Sequence, residues 1–215
     1  NPTGAVYDRR LLQAIVDLCR SREIWLVSDE VYAEIAPEDF VSIGGLDGAG
    51  DICVTISSVS KSHRMTGWRC GWTIAPRTLN RHFYNLNMCM AYGLPPFIQD
   101  AAAHALETDS QTAHRVRERL SRNRQIIADE LANLGTARLH TDGGGMFAVL
   151  DVRNLGVSST DFAWGLLASQ DVSLLPCDGF GSSGRGLVRI SLCLNDDVMG
   201  TAARRIAAHI KQLLA

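Results

Sequence analysis

The sequence predicts an α/β protein, with a mostly parallel sheet covered by helices. Three short apolar runs have the length of strands and are bounded by Gly, Pro or polar residues: residues 24–28, 52–57 and 70–75. Stretches with helical periodicity occur among them. Strands that alternate with helices form parallel, helix-covered sheets, so this part of the chain is predicted to contain one.

The first predicted helix covers residues 8–22, with Asp8 as its N-cap. Several apolar residues fall on one face of this helix at helical spacing: Leu11, Leu12, Ile15, Val16 and Cys19. The run 24–28 follows and predicts a short buried strand. The runs 52–57 and 70–75 repeat its pattern and predict two more strands.

Two further helices are predicted at residues 77–91 and 97–134, separated by Pro95 and Pro96. The longer one carries an arginine-rich stretch, from Arg115 to Arg124, interleaved with apolar residues. Such a charge run is typical of a solvated helix face.

After Gly135 the pattern changes to that of a smaller α+β unit. The predicted strands and helices follow in chain order: strand 146–152, helix 159–169, strand 172–175, strand 187–192 and helix 196–214. The predicted organisation has three parts: the C-terminal part of a large domain at 1–107, a connecting long helix at 108–135 and a small C-terminal domain at 136–215.

The composition is that of an ordinary globular protein, with 215 residues, 46% hydrophobic and 20% charged. The net charge of -2 and the absence of a basic stripe argue against nucleic acid as a partner. No apolar run approaches the roughly 20 residues that span a bilayer. No secretory leader is present either, so neither a membrane nor secretion is expected.

The six cysteines and six histidines are scattered along the chain. No CxxC pair occurs, and no cysteine lies at zinc-ligand spacing from a histidine. Most cysteines sit in apolar runs, where cysteine behaves as a small hydrophobe. The sequence therefore predicts no metal site and a reduced, cytoplasmic compartment.

One segment combines residues suited to hold a phosphate. Residues 57–62 read Ser-Ser-Val-Ser-Lys-Ser at the end of a predicted strand, and Arg69 follows Lys61 by eight positions between Gly67 and Gly71. Serine hydroxyls and a guanidinium fork both match phosphate oxygens. A lysine beside that phosphate can form a Schiff base with an aldehyde of the same ligand.

Each of these residues has an ordinary explanation when taken alone. A loop lysine such as Lys61 is usually a solvated surface group, and Arg69 could belong to a surface ion pair. Trp68 and Trp72 suit core packing, and His63 is explained as an incidental loop residue. Only the combined spacing favours a site.

That spacing resembles the cofactor-lysine motif of class I/II aminotransferases, members of the fold type I pyridoxal-phosphate family. Further marks of that family occur in its order: Asn-Pro-Thr-Gly at 1–4, Asp29 and Tyr32 as Asp-x-x-Tyr, the turn at 143–147, and Arg189 near the end. The resemblance covers nearly the whole chain. Two stretches, 88–93 and 97–100, are similar to arginine–pyruvate aminotransferases.

The resemblance implies pyridoxal 5'-phosphate as cofactor, with Lys61 as its Schiff-base lysine. Ser58 and Arg69 would hold the phosphate, and Ser60 would either join them or shape the loop. Lys61 would then serve as the general base that moves the α-proton of an amino acid.

The remaining roles that the resemblance implies concern the cofactor ring and the substrate. Asp29 would pair with the ring nitrogen, and Asn1 and Tyr32 would donate hydrogen bonds to the ring hydroxyl oxygen. Arg189 would bind the substrate α-carboxylate as a two-pronged pair. The implied reaction moves an amino group from an α-amino acid to a 2-oxo acid in a homodimer.

The chain departs from the family pattern at its beginning. It starts at Asn1 without a preceding strand, and the family's N-terminal half has no counterpart here, so the sequence is expected to be a fragment. The segment 179–186 does not replace the missing phosphate loop and is predicted to be a flexible loop that could border the substrate. Poor cofactor binding is expected of this fragment alone.

Two other functions use the same motifs. A lyase that cleaves a carbon–sulfur bond by β-elimination would use Lys61, Asp29 and Arg189 in the same way. A transcription regulator could carry the fold as a ligand-sensing domain, with a DNA-binding unit upstream. Ammonia release without an acceptor would indicate the lyase, and an upstream winged helix-turn-helix would indicate the regulator.

Overall fold

A computed structural model describes residues 1–108, 111–132 and 134–215. The chain divides into two compact units. The first unit comprises Val6–Val116, and the second comprises Asn1–Ala5 together with Arg117–Ala215. The domain limits predicted from sequence, at residues 107 and 135, stay a prediction.

The first unit opens with helix α1, Arg9–Ser21. Asp8 is its N-cap, as predicted: Oδ1 accepts a hydrogen bond from the backbone N–H of Leu11 at 2.8 Å. The buried residues Leu12 and Val16 pack in a core cluster with segments from elsewhere in the unit. Leu11 was predicted on that face but is 46% exposed, because it lies about 100° of helical turn from Leu12.

The sheet of the first unit has the order β1-β2-β3. Its strands are β1 Leu26–Asp29, β2 Cys53–Ser58 and β3 Gly71–Ile74. β1 and β2 are parallel, whereas β2 and β3 are antiparallel. The three predicted strands are confirmed, and the expected parallel arrangement holds for one of the two strand pairs.

Strand β1 was expected to be buried, and this expectation was wrong. Val27 is 61% exposed, and the side chains of β1 alternate between half-buried and exposed. β1 lies at the edge of the three-stranded sheet, and residues within the described ranges leave one of its faces uncovered. Apolar character in a short run predicts a strand but does not specify what covers it.

Three further helices lie in the first unit: α2 Val59–Ser62, α3 Arg77–Ala91 and α4 Pro96–Thr108. A fourth helix, α5 Thr112–Leu131, begins in the first unit and continues into the second. The predicted helix 77–91 is confirmed. Pro96 is the first residue of α4, where the missing N–H of proline costs no hydrogen bond. The single helix predicted over 97–134 corresponds to α4 and α5, and residues 109, 110 and 133 lie outside the described residues.

The second unit contains an antiparallel sheet with the order β4-β5-β7-β6. The strands are β4 Arg138–His140, β5 Phe147–Asp151, β6 Leu175–Pro176 and β7 Leu187–Ser191. Helices α6 Ser159–Gln170 and α7 Asp196–Leu214 match the predicted ones. β4 was not predicted, and the strand predicted over 172–175 begins only at Leu175, because these short strands are set by pairing with a neighbour.

One side of this sheet builds the core of the second unit. Val188 and Ile190 of β7 are buried, as are Phe162 of α6 and Ile206 of α7. Since side chains alternate across a strand, Arg189 lies on the opposite face. Asn123 of α5 is fully buried and donates hydrogen bonds to two carbonyls just beyond β7, those of Leu192 at 2.8 Å and Leu194 at 2.7 Å.

Short 3₁₀ helices link these elements: Ala33–Ile35, Ile43–Gly45, Thr66–Trp68, Arg153–Leu155, Cys177–Phe180 and Ser182–Gly184. Within the part of the chain that is described, no helix has the length and apolar character to cross a membrane. The same residues contain no group of three or more His, Cys, Asp or Glu side chains placed to hold a metal ion.

Candidate active site

Lys61 lies on a single helical turn at the end of the central strand β2. Ser58 ends the strand, and its Oγ accepts a hydrogen bond from the backbone N–H of Ser60 at 3.3 Å, which caps α2. Val59 is fully buried in a small cluster with Cys70 and other apolar residues. The buried Val59 fixes this turn to the unit and leaves Lys61 half-buried beside it.

Arg69 lies just before the antiparallel strand β3 and close to the end of β2. It follows the 3₁₀ helix Thr66–Trp68 in a left-handed backbone conformation, with φ at 54°. Its Nη1 donates a hydrogen bond to the carbonyl of Thr66 at 3.1 Å. Two residues later, Gly71 pairs with Ser58 across the ladder between β2 and β3. The ladder therefore brings Arg69 and Ser58 to one end of the sheet.

Ser58, Ser60 and Arg69 line one cavity of about 790 Å³ in the first unit. Its wall also contains Trp72, Asn80 and Tyr84, among others. The family resemblance implied these three residues as phosphate candidates, and all three line this cavity. The other candidates of the first unit, Lys61, Asp29 and Tyr32, are not among the described residues that line it.

Asp29 lies at the carboxyl end of β1. It pairs with Ile56 in the parallel ladder, so it sits at the same edge of the sheet as Ser58. Its Oδ1 accepts a hydrogen bond from the backbone N–H of Val31 at 3.2 Å, and the side chain is exposed. Asp29 is not a helix cap, because Tyr32 is the N-cap residue of the 3₁₀ helix that follows.

Glu30 is a buried carboxylate that sequence reasoning missed. Its Oε1 accepts hydrogen bonds from Ser28 Oγ at 3.0 Å and from the backbone N–H of Ile43 at 3.2 Å. Side chains of neighbouring strand residues point to opposite faces. Of the two adjacent acidic residues at this strand end, Asp29 is therefore exposed and Glu30 is buried. Glu30 therefore links the end of β1 to Ile43 and supports the position of Asp29.

The two candidates of the second unit, Asn1 and Arg189, are hydrogen-bonded to each other. Nη1 of Arg189 donates to Oδ1 of Asn1 at 2.8 Å. The guanidinium carbon of Arg189 also lies 4.0 Å from the ring centre of Phe147 and 5.4 Å from that of Phe180. Neither phenylalanine was predicted to contact Arg189, since only the sheet and its turns bring the three residues together.

The position of Asn1 depends on a contact between two glycine turns. The backbone N–H of Gly144 donates to the carbonyl of Gly4 at 2.8 Å. Gly4 has φ at +79°, and a Cβ there would lie 2.6 Å from the Gly144 carbonyl oxygen. Only glycine fits both requirements, so Gly4 fastens the first residues to the turn before β5.

The segment 179–186, predicted as a flexible loop, is folded into 3₁₀ helices that begin at Cys177 and Ser182. Burial raises the pKa of the Cys177 thiol, and the positive charge of Arg189 opposes this rise. Through Phe180, whose ring centre is 5.4 Å from the guanidinium carbon, the segment lies near Arg189.

The candidate residues are divided between the two compact units. The first unit holds Lys61 and its neighbours: Asp29, Tyr32, Ser58, Ser60 and Arg69. The second unit holds Asn1 and Arg189.

The chain belongs to the family of class I and II aminotransferases, whose sequence pattern matches residues 1–206. An arginine–pyruvate transaminase of Pseudomonas aeruginosa is 41% identical over 215 residues, which are 100% of this chain and 55% of that protein. An aspartate aminotransferase of Pyrococcus abyssi is 31% identical, over 99% of this chain and 55% of its own length.

Solved structures that resemble this chain are also aminotransferases. An aromatic aminotransferase from Pyrococcus horikoshii matches with a TM-score of 0.92 at 30% identity, over 99% of this chain and 58% of that one. An aspartate aminotransferase from Thermotoga maritima matches with a TM-score of 0.89 at 28% identity, over 98% and 54%. The chain spans about half the length of these relatives. The predicted family and the fold type I class, with partial coverage, are confirmed.

Proposed function

We propose that the whole protein is an aminotransferase that uses pyridoxal 5'-phosphate to move an amino group from an α-amino acid to a 2-oxo acid. The observation that carries this proposal is the cavity of about 790 Å³ that gathers Ser58, Ser60 and Arg69 beside the turn of Lys61. Family membership supports the reaction class, since the relatives reported above are all named as transaminases.

The residues of this cavity fit the phosphate end of the cofactor. Two hydroxyls and one guanidinium supply donors of the kind that phosphate oxygens accept. Arg69 contributes the positive charge that a phosphate dianion requires. Asp29, at the same edge of the sheet, is the carboxylate proposed to pair with the ring nitrogen, and Asn1 and Tyr32 are proposed to bind the ring hydroxyl.

When bound, pyridoxal 5'-phosphate supplies an electron sink that weakens the α C–H bond of an amino acid. Lys61 is proposed to hold the cofactor covalently and, once displaced by the substrate amine, to move the α-proton with Nζ as general base. Arg189 is proposed to bind the α-carboxylate through its guanidinium fork.

The name of the 41% identical relative specifies arginine and pyruvate. We propose these two compounds as the first donor and acceptor to assay. A homodimer is proposed on the family resemblance, with sedimentation analysis as its test. A reduced, cytoplasmic location is proposed because all six cysteines are free.

The second lysine of these 215 residues provides a matched control for the cofactor lysine. Besides Lys61 they contain Lys211, which is exposed in the last turn of α7. The full-length protein, loaded with pyridoxal 5'-phosphate, is compared with its Lys61→Ala and Lys211→Ala variants. Absorption spectra and borohydride reduction, followed by peptide mass spectrometry, locate the labelled lysine.

We expect a visible absorption band and a reduced cofactor adduct on Lys61 in the parent and in Lys211→Ala, and neither in Lys61→Ala. Arginine should then discharge the band only where Lys61 is present. Equal, featureless spectra in parent and Lys61→Ala would overturn the cofactor assignment. Release of ammonia and an oxo acid without an acceptor would replace the transaminase by a lyase.

A further inference from the structure

The guanidinium of Arg189 lies between two aromatic rings. Its central carbon is 4.0 Å from the ring centre of Phe147 and 5.4 Å from that of Phe180. Both distances are within the about 6 Å at which a guanidinium and a ring face attract each other. Two rings and one cation at these distances form a clamp, called here the aromatic clamp.

The clamp follows from the order of the strands. β7, which carries Arg189, lies between β5 and β6. Val149 of β5 is directly opposite Arg189, so Phe147 is its diagonal neighbour on the same face. Leu175 of β6 is opposite Arg189 on the other side, and the chain then enters the 3₁₀ helix that ends at Phe180. One ring therefore comes from the flanking strand β5, and the other comes from the 3₁₀ helix that follows the flanking strand β6.

The turn that carries Phe180 is held at two points. A Cβ at Gly184 would lie 2.1 Å from the Cys177 carbonyl oxygen, so glycine alone allows the two 3₁₀ helices to pack this closely. The carboxylate of Asp178 accepts a hydrogen bond from the hydroxyl of Ser159 on α6. These contacts fix the residues on both sides of Phe180.

Asn1 restrains Arg189 along its remaining edge. The hydrogen bond of 2.8 Å from Nη1 to Asn1 uses one of the five N–H donors of the guanidinium. With two rings close to it and one N–H held by Asn1, the guanidinium has less freedom to rotate. A planar fork with a fixed orientation is what a two-pronged pair with a carboxylate needs.

We infer that Phe147 and Phe180 are positioning residues, which hold the Arg189 guanidinium in the orientation that binds the substrate carboxylate. This inference rests on the proposed function of Arg189. The clamp is expected to act on substrate affinity rather than on proton transfer, because its two rings contact the guanidinium that binds the carboxylate. Removing a ring therefore raises KM and leaves kcat nearly unchanged.

Phe180 is the better residue for a test because it is 47% exposed, so its substitution leaves the core intact. The cofactor-loaded full-length protein is compared with Phe180→Leu, which removes the ring, and with Phe180→Tyr, which keeps it. For Phe180→Leu we expect KM for the amino acid to rise about 2- to 5-fold, the range of one exposed cation–π contact. Phe180→Tyr should retain the KM of the parent.

Calorimetric titration with pyruvate measures carboxylate binding independently of turnover, and its Kd should shift by the same factor. An unchanged Kd and KM in Phe180→Leu would overturn the clamp while leaving the proposed function intact. Equal losses in the leucine and tyrosine variants would also overturn it, since a ring face would then not matter. If the parent binds pyruvate but transaminates no amino acid, the proposed function fails, and the Kd values still decide the clamp.

Discussion

Arg189 donates a hydrogen bond of 2.8 Å to the side-chain oxygen of Asn1, although 188 positions separate the two residues. The contact joins the middle of β7 to the beginning of the chain. It exists because Gly4 fastens that beginning to Gly144. The amide of Asn1 thereby supplies a neutral acceptor to the guanidinium.

The first prediction concerns that neutral acceptor. Asn1→Asp retains the shape but places a negative charge against Arg189, where it competes with a substrate carboxylate. We expect KM for the amino acid to rise more in Asn1→Asp than in Asn1→Ala, which loses one hydrogen bond and about 0.5–1.5 kcal/mol of binding. Steady-state kinetics of both variants check the order, and an aspartate variant that binds substrate as well as the alanine variant would contradict it. Thr3→Ala is the control, since Thr3 is exposed and its hydroxyl accepts a hydrogen bond only locally, from Ala5.

The second prediction concerns Gly184. Its Cβ position lies 2.1 Å from a carbonyl oxygen, so Gly184→Ala must displace the backbone around Phe180. We expect the free energy of unfolding to fall by about 1–3 kcal/mol and KM to rise as the clamp loosens. Gly179→Ala in the same segment is the matched control, because a Cβ there meets no atom within 4 Å. Thermal unfolding and steady-state kinetics should show lower stability and higher KM in Gly184→Ala than in Gly179→Ala. Equal stability and equal KM in the two variants would contradict the prediction.

The third prediction concerns the cap of α1. Asp8 accepts the hydrogen bond of the Leu11 N–H at 2.8 Å. Asp8→Ala leaves that N–H without its side-chain partner, and the free energy of unfolding should fall by about 1 kcal/mol. Asp17→Ala, in the exposed middle of the same helix, should change it by only a few tenths of that amount. Urea unfolding measures both, and equal effects would show that capping is not the cause.

The fourth prediction concerns pH. Burial lowers the pKa of His209 from its usual value of 6.5, and the ring packs edge-on against Phe162 with centroids 5.1 Å apart. The unfolded chain therefore binds a proton at this residue more readily than the folded protein. Its contribution to stability is complete above the unfolded pKa and declines as the pH falls through and below it.

Unfolding of the parent and of His209→Leu at pH 7.5 and 5.5 provides the measurement. The parent should lose more stability between these two pH values than His209→Leu, whereas His82→Leu, at an exposed position of α3, should behave like the parent. An identical pH dependence in parent and His209→Leu would exclude this histidine as the cause.

Local features of the fold were predictable from the sequence because their causes are local. Asp8 caps α1 since a side-chain oxygen meets N–H groups three residues ahead. The helices 77–91 and 196–214 follow from hydrophobic periodicity and match α3 and α7. β4 was missed because three residues carry too short a pattern, and only the ladder with β5 makes them a strand.

By itself, the sequence determined the family, the order of the elements and the candidate residues around Lys61, since motif spacing along a strand and its following turn is a local property. The tertiary structure alone decided that Ser58 and Arg69 line one cavity and that Arg189 lies between Phe147 and Phe180 against Asn1. It also shows that, within these 215 residues, strand β1 is exposed on one face. Such relationships depend on which strands pair and which turns contact each other. The spacing of residues along the chain specifies neither the register of a strand pair nor the elements that pack on a sheet.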